Sequence, residues 1–147
     1  MLMHLLVALG LTAVTVLIHA AGTLVIVWAF RGRSREVLAA RKPIRVVLPL
    51  VGLVSFLLLL HLAEAGVWAI YYRLAGMLPD LETAAYFSFT SYTTVGYGDV
   101  LMPYAWRMLG PIEAGVGILM FGWSAAIIVR ALEPTVARNP DYERGDG

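Results

Sequence analysis

The sequence predicts an all-α membrane protein in which three transmembrane helices accompany a short re-entrant helix and loop. Three observations predict this fold class. Apolar residues make up 60% of the 147 residues and charged residues only 14%, against roughly 25% charged residues in soluble domains. Three apolar stretches are long enough to cross a hydrocarbon core of ~30 Å. A fourth apolar stretch, between the second and the third, is too short to cross.

The residue types exclude several classes of function. The chain has no cysteine, which rules out disulfides, a thiolate nucleophile, cysteine-ligated zinc and iron–sulfur clusters. It contains no serine–histidine–acid set, no phosphate-binding loop with its lysine and no histidine pair at zinc spacing. Gly96 and Gly98 lack the third glycine of a nucleotide-binding loop. The sequence therefore predicts neither an enzyme nor a bound cofactor.

The first predicted helix covers residues 1–30, which contain no charged side chain. The apolar run is too long for a signal peptide and no basic residue precedes it, so we expect a retained N-terminal transmembrane helix. A basic loop, residues 31–45, follows, with one acidic residue among six basic ones: Arg31, Arg33, Arg35, Arg41, Lys42 and Arg45. Short loops of this charge remain in the cytoplasm. This explains the charge more simply than a nucleic-acid partner does, and it puts the N-terminus outside.

Two further transmembrane helices are predicted over residues 46–72 and 108–132. The end of the second helix carries three aromatic residues, as expected of an interfacial belt: Trp68, Tyr71 and Tyr72. With the basic loop in the cytoplasm, three crossings put the segment between these two helices outside. The short tail, residues 133–147, is then cytoplasmic.

The segment between the second and third crossings contains a short helix, predicted over residues 81–93. Asp80 is suited to cap its first turn, and its apolar run is too short to cross a membrane. A helix of this length that enters the membrane must return, and the return is the loop 94–99, which contains Gly96 and Gly98. Non-helical backbone at membrane depth is tolerated only where it lines a polar pathway or is buried in protein.

Seven consecutive residues resemble the selectivity-filter signature of potassium channels at every position: Thr93-Thr94-Val95-Gly96-Tyr97-Gly98-Asp99. The preceding residues, 86–92, resemble the pore helix of that family. Over residues 46–132 the chain resembles the small prokaryotic ion channels of the two-helix pore type, with outer helix, pore helix, filter and inner helix in that order. The first helix is an addition, and it lacks the regularly spaced arginines of a voltage sensor.

The resemblance implies that K⁺ is the permeant ion and that the loop binds it. The backbone carbonyls of Thr94, Val95, Gly96 and Tyr97, with the Thr94 hydroxyl, would replace the hydration shell of the ion in stacked rings. These carbonyls can point one way only if ordinary and left-handed residues alternate along the loop. Gly96 and Gly98 permit the positive φ angles that this alternation needs.

The remaining loop residues are expected to support this arrangement. Gly98 and Asp99 are expected to hold the outer end of the filter, and Thr93 its inner end. Val95 and Tyr97 are expected to point away from the axis and to pack the loop against its own helix.

One chain supplies one filter strand, so the resemblance implies a homotetramer that conducts K⁺ passively across the prokaryotic plasma membrane, in contact with lipid. Two alternatives remain open. A general cation channel would keep the pore without the selectivity, although the complete valine–glycine–tyrosine–glycine set argues against it. A non-conducting subunit of a larger membrane complex gains some support from the additional first helix.

Glu64 and His61 lie three residues apart on one face of the second helix, inside the membrane. An acidic group in a transmembrane helix is costly and usually functional or paired. One interpretation is a proton-sensitive pair that modulates the filter from behind. The other is a structural hydrogen bond to the pore helix, through Thr90, Ser91 or Tyr92. A metal site is not expected, because two ligands at this spacing are too few.

Three further features of the helices invite a prediction. Glu113 is expected to brace the filter or to repel anions near the mouth. In the family resembled, a glycine at this distance past the filter is a gating hinge, which favours Gly117 and then Gly115; close helix packing is the alternative. His4 and His19 are expected near an interface or packed against a neighbouring helix.

Overall fold

The computed structural model describes residues 2–30 and 44–136, which form a helical bundle. The four helices are α1 (Leu2–Phe30), α2 (Ile44–Leu74), α3 (Leu81–Tyr92) and α4 (Leu109–Val136), with a 3₁₀ turn at Tyr104–Trp106 before α4. Three helical stretches are long and apolar enough to cross a membrane. The structure therefore confirms an all-α protein with three membrane-capable helices, although most of the predicted basic loop and tail lies outside the described residues.

Two contacts set the relative direction of the long helices. His4, near the start of α1, packs its ring on Trp106 with 4.3 Å between ring centroids. At the other end of α1, Ile26 packs in a cluster with Leu53 and Leu57 of α2. Helix α1 is thus antiparallel to α2, and its N-terminal end lies beside the segment that joins α2 to α4.

The inner helix α4 is longer than the sequence predicted. It was expected over residues 108–132, but the helix continues through Pro134 and ends at Val136. A proline removes one backbone N–H donor and is therefore a frequent but not obligatory end to a helix. Helix α2 likewise tolerates Pro49 in its interior, near its first turns.

The predicted aromatic belt at the end of α2 is wrong for two of its three members. Trp68 and Tyr72 are fully buried in the bundle. The Trp68 indole Nε1 donates to Thr15 Oγ1 of α1 at 3.0 Å, and the Tyr72 hydroxyl donates to Glu113 Oε2 of α4 at 2.8 Å. Buried tryptophan and tyrosine need such partners for their polar atoms, and the neighbouring helices supply them in place of the membrane interface.

The short helix α3 begins at an aspartate cap, as predicted. The Thr83 N–H donates to Asp80 Oδ1 at 2.8 Å. This hydrogen bond from the backbone holds the pKa of the Asp80 carboxyl below its usual value. The acidic residue Glu82 in the first turn also suits the positive end of the helix dipole.

Helix α3 ends in the middle of the bundle. The hydroxyl of its last residue, Tyr92, donates to Glu64 of α2. Glu64 lies ten residues before the end of α2 at Leu74, which is about 15 Å along a helix. This depth is about half of a ~30 Å hydrocarbon core, so α3 has the length and placement of a re-entrant helix.

Candidate functional site

The loop that follows α3 alternates between left-handed and ordinary backbone. Thr94, Gly96 and Gly98 have φ angles of 63°, 51° and 78°. The positive φ angles predicted for the two glycines are confirmed. With this alternation, successive carbonyls are able to face the same side of the strand.

Sequence reasoning missed the third member of this set, Thr94. A positive φ angle is unfavourable for a β-branched residue, and positions of this kind persist only where the surrounding structure holds them, often at functional sites. Among the described residues, Thr94 is the only non-glycine residue with a positive φ angle. Only the resemblance of the whole heptapeptide, and no local propensity, pointed to it.

Backbone hydrogen bonds attach the start of the loop to the last turn of α3. The Thr94 N–H donates to the Ser91 carbonyl at 2.9 Å, and the Gly96 N–H donates to the Thr90 carbonyl at 3.0 Å. Thr93 closes the helix through its own N–H and through its hydroxyl, which lies 2.6 Å from the Phe89 carbonyl oxygen. These bonds satisfy carbonyls that a helix end leaves free and hold Thr94 in its unusual conformation.

Asp99 connects the far end of the loop to the middle of α3. The Tyr86 hydroxyl donates to Asp99 Oδ2 at 2.8 Å, and the Val100 N–H donates to Asp99 Oδ1 at 3.1 Å. The loop therefore runs back alongside α3, from the level of Tyr92 to the level of Tyr86. The hydrogen bonding expected of Asp99 is present.

The loop is exposed throughout, from Thr93 to Asp99. The expectation that Val95 and Tyr97 pack against their own helix is wrong, because their side chains remain 51% and 72% exposed. The covered face of α3 is already occupied by the other helices through four residues: Ala84, Phe87, Ser88 and Tyr92. Beside the loop, a cavity of about 560 Å³ opens toward the start of α4.

A polar cluster lies behind the last turn of α3 and gathers side chains from all four helices. Glu64 of α2 is fully buried and is its centre. Its Oε1 lies 2.8 Å from His19 Nδ1 of α1, and its Oε2 lies 3.3 Å from His61 Nδ1 and accepts from the Tyr92 hydroxyl. The second ring nitrogen of His61 lies 3.0 Å from Ser124 Oγ of α4. The predicted hydrogen bond from Glu64 to the pore helix is thus confirmed, and Tyr92 makes it.

Sequence reasoning did not place His19 beside Glu64, from which it is separated by 45 positions. His19 is fully buried against the neighbouring helices. One signal in the sequence could have indicated this face. Thr15, His19 and Thr23 recur every fourth residue in an otherwise apolar helix, and polar residues of a transmembrane helix face the bundle interior.

Glu113 of α4 forms a second buried contact with α3. Its carboxylate accepts from the Tyr72 hydroxyl of α2 and from the Ser88 hydroxyl of α3. Ser88 Oγ also lies 2.6 Å from the Ala65 carbonyl oxygen. Because Glu113 is fully buried, its carboxylate does not face the exposed loop. The contacts fit a brace between helices, whereas the alternative of an anion-repelling group at a mouth is not supported.

The two glycines singled out in α4 differ in their surroundings. A Cβ atom at Gly117 would overlap the backbone carbonyl of Tyr92, whereas nothing lies within 4 Å of a Cβ atom at Gly115. Gly117 thus marks the point where α4 crosses the end of α3, as the close-packing interpretation requires. A hinge at either glycine stays a prediction.

Three membrane-capable helices, a half-length helix and an exposed loop of alternating backbone define a polytopic membrane protein of the re-entrant-loop class. A family model described as "Ion channel" matches residues 56–133, which is more than half of the chain. The protein therefore belongs to this ion-channel family. The match spans most of α2, all of α3 and the loop, and α4 to Glu133. No curated protein and no solved structure matches the chain.

Proposed function

We propose that the protein is a potassium-selective channel, in which four copies of the loop surround one conduction pathway. The observation that carries this proposal is the left-handed backbone at Thr94, Gly96 and Gly98, in an exposed loop at the end of a half-length helix. Membership of an ion-channel family supports it.

The chemistry of the ion is matched by the main chain of the loop. A K⁺ ion that leaves water must find replacement oxygens. The carbonyls of Thr94, Val95, Gly96 and Tyr97, together with the Thr94 hydroxyl, supply them at successive levels. The carboxyl end of α3 adds partial negative charge at mid-bundle depth, where a cation would rest. Gly98 and Asp99 hold the outer end, and Thr93 the inner end.

The apolar surface that one chain leaves uncovered supports a homotetramer. The Tyr97 and Val95 side chains are large and more than half exposed, and a second copy placed beside the loop would cover them. Ile118 and Leu119 of α4 are also exposed, at 58% and 67%, on the helix that would line the inner cavity. A closed ring of identical subunits buries such surfaces on every copy equally.

The proposed orientation in the prokaryotic plasma membrane rests on charge. The N-terminal end of α1 and the filter loop lie at the same end of the bundle. The basic segment 31–45 follows the last residue of α1 and leads into α2, so it belongs to the other end of the bundle. Basic loops stay in the cytoplasm, so the filter end and the N-terminus face outside and the C-terminal tail faces inside. Lipid then contacts the exposed apolar residues of the outer helices, of which Leu17, Leu24 and Leu58 are examples.

The proposal is tested with the purified protein alone in liposomes. In opposed K⁺ and Na⁺ gradients we expect passive flux with a reversal potential close to that of K⁺. A reversal potential near zero identifies a general cation channel instead. Absence of flux from correctly assembled protein identifies a subunit that does not conduct on its own.

The Gly96→Ala variant tests the filter directly. At a φ angle of 51° an added Cβ is strained, but among the described residues no atom beyond Gly96 and its two neighbours in sequence lies within 4 Å of it. We expect K⁺ flux to be abolished while the tetramer of 16.0 kDa chains persists. The matched control is Gly10→Ala in α1, where a Cβ atom also meets nothing within 4 Å. Undiminished flux in Gly96→Ala contradicts the filter assignment.

A further inference from the structure

The cluster around Glu64 has a feature that its role as a helix brace does not require. Ligand atoms from His19, His61 and Glu64 all lie within 4.8 Å of one another, and all three residues are buried. We propose that this His–Glu cluster, with the Tyr92 hydroxyl as a fourth ligand, binds a divalent first-row transition metal of the zinc type. The metal would join α1 to the pore helix.

The distances between the donor atoms are close to those of a four-coordinate metal. Zinc–nitrogen and zinc–oxygen bonds of ~2.0–2.1 Å put tetrahedral ligand atoms about 3.3 Å apart. Glu64 Oε2 and the Tyr92 hydroxyl oxygen each lie 3.3 Å from His61 Nδ1. His19 Nδ1 lies 2.8 Å from Glu64 Oε1, and the Tyr92 hydroxyl donates directly to Glu64 Oε2, so both groups would have to move away from the carboxylate to admit the ion.

The donor set selects the class of metal. Two imidazole nitrogens, a carboxylate and a phenol oxygen suit zinc and its first-row neighbours. Calcium and magnesium prefer oxygen ligands alone, and magnesium retains several waters. A fully buried site with two histidines is therefore unsuited to either of those ions.

The surroundings of His61 are typical of a metal ligand. The second ring nitrogen of a ligating histidine almost always bonds to an oxygen, which fixes the orientation of the ring. His61 Nε2 has such a contact with Ser124 Oγ, at 3.0 Å. His19 differs from His61 in this respect, because its Nε2 has no hydrogen-bond partner among the described residues. The orientation of the His19 ring is set by packing beside Trp123, with 5.0 Å between ring centroids.

The charge of this cluster is compatible with a divalent ion in place of the present hydrogen bonds. Glu64 is fully buried, and a buried carboxylate is costly unless it is paired or coordinates a metal. A divalent ion bound by the Glu64 carboxylate and an ionised Tyr92 would give a site with no net charge. The Tyr92 proton would be released on binding, and each neutral imidazole would bind through Nδ1 with its proton on Nε2.

Bound metal would connect the additional helix to the conduction apparatus. His19 belongs to α1, which lies outside the part of the chain that matches the ion-channel family. Tyr92 is the last residue of α3 and immediately precedes the filter segment. The inference concerns binding alone, so it holds or fails independently of potassium selectivity.

The test measures metal content. Because the cluster is buried, the full-length, tag-free protein is expressed with added Zn²⁺, purified in detergent and dialysed against a weak chelator before elemental analysis. We expect about one zinc per chain for the native protein and at least a tenfold lower content for His19→Gln and His61→Gln. The matched control, His4→Gln, removes a histidine that contacts Trp106 and is expected to retain the metal.

A second measurement needs no variant. Native protein produced with Co²⁺ is expected to show the visible absorption of a four-coordinate nitrogen–oxygen site, with an altered spectrum in Tyr92→Phe. The proposal is overturned if the native protein holds no metal after dialysis, or if His19→Gln retains as much as His4→Gln. A six-coordinate cobalt spectrum, typical of a surface ion, also overturns it.

Discussion

Two buried carboxylates hold the re-entrant helix, and they differ in what surrounds them. Glu64 and Glu113 are both fully buried, and each accepts a hydrogen bond from α3, from Tyr92 and Ser88 respectively. Apart from α3, Glu113 contacts one further hydroxyl, that of Tyr72, whereas Glu64 meets two imidazoles. The same structural task is thus done with two different sets of partners.

The different partners of Glu64 and Glu113 distinguish a contact that only braces α3 from one that is also able to bind a ligand. Hydroxyl groups alone suffice to fix a helix against a buried carboxylate, as they do at Glu113. Two histidines add ring nitrogens that are able to bind a metal ion. The outer level of α3, at Ser88, is therefore a plain brace. The inner level, at Tyr92 beside the loop 94–99, combines a brace with two histidines that are able to bind a metal ion.

The largest effect is expected where α4 touches the inner level. In Gly117→Ala the new Cβ would occupy the position of the Tyr92 carbonyl, and two backbones cannot separate without loss of packing. We expect a loss of more than about 4 kcal/mol of stability, seen as failure to recover assembled protein on gel filtration.

The outer level provides the matched control for this change. A Cβ atom in Gly110→Ala would lie 3.1 Å from the Phe87 ring, and a side chain at this distance is able to yield. We expect a cost under about 1 kcal/mol. Equal recovery of both variants would mean that the crossing at Gly117 is not a close contact.

The next largest loss of stability is expected when either buried carboxylate is removed. Glu64→Ala removes three hydrogen bonds to a buried carboxylate and leaves His19 Nδ1 unpaired, although His61 and Tyr92 keep their contact with each other. A buried unpaired group costs about 1–3 kcal/mol, and each lost hydrogen bond to a charged group adds to this. Glu113→Ala leaves Tyr72 unpaired, but Ser88 keeps the Ala65 carbonyl. Thermal unfolding in detergent should therefore show a loss of about 3–5 kcal/mol for Glu64→Ala and about 1–3 kcal/mol for Glu113→Ala. The reverse order would refute the comparison.

Removal of single hydroxyls should give the opposite ranking. Tyr72→Phe takes away one of the two donors of Glu113, at a cost of about 1–2 kcal/mol. Tyr92→Phe leaves Glu64 with both histidines, so we expect a loss under about 1 kcal/mol. The same unfolding measurement applies, and a larger loss for Tyr92→Phe would indicate that the tyrosine, rather than the histidines, holds Glu64.

The smallest effect concerns the exposed carboxylate that caps the same helix. The pKa of Asp80 is lowered by the hydrogen bond from the Thr83 N–H, so the folded state binds fewer protons than the unfolded state. Its contribution is fully present above its ordinary pKa of 3.8 and is lost as pH falls through the lowered folded-state value. We expect Asp80→Asn to leave stability at neutral pH nearly unchanged and to weaken its decline in acid, measured by thermal unfolding across pH.

Much of the fold followed from the sequence because the membrane leaves few alternatives. Long uncharged runs predict transmembrane helices, and Asp80 before an apolar run too short to cross predicts a capped re-entrant helix. Gly96 and Gly98 predict positive φ angles because only glycine adopts them at little cost. Thr94 has no such signal, since its conformation is held by hydrogen bonds that the loop N–H groups donate to carbonyls of the preceding helix.

The rotation of each helix about its axis was harder to predict. Composition gives the length of α1 but not the face that meets α2, so the pairing of His19 with Glu64 was missed. The same limit explains Trp68, whose place near a helix end indicated the interface although its indole reaches Thr15 of another helix. The rotation of one helix relative to another is decided by the contacts between them, and a single sequence does not show which residues of different helices are in contact.

The crossing at Gly117 has a mechanical consequence for α4. Nineteen residues of α4 lie beyond that contact, up to Val136, which makes a rigid arm about 28 Å long. Backbone contact with Tyr92 fixes the near end of the arm. A bend of only ~10° at the crossing would therefore sweep the far tip sideways by about 5 Å, while the part of α4 beside Ser88 stays still.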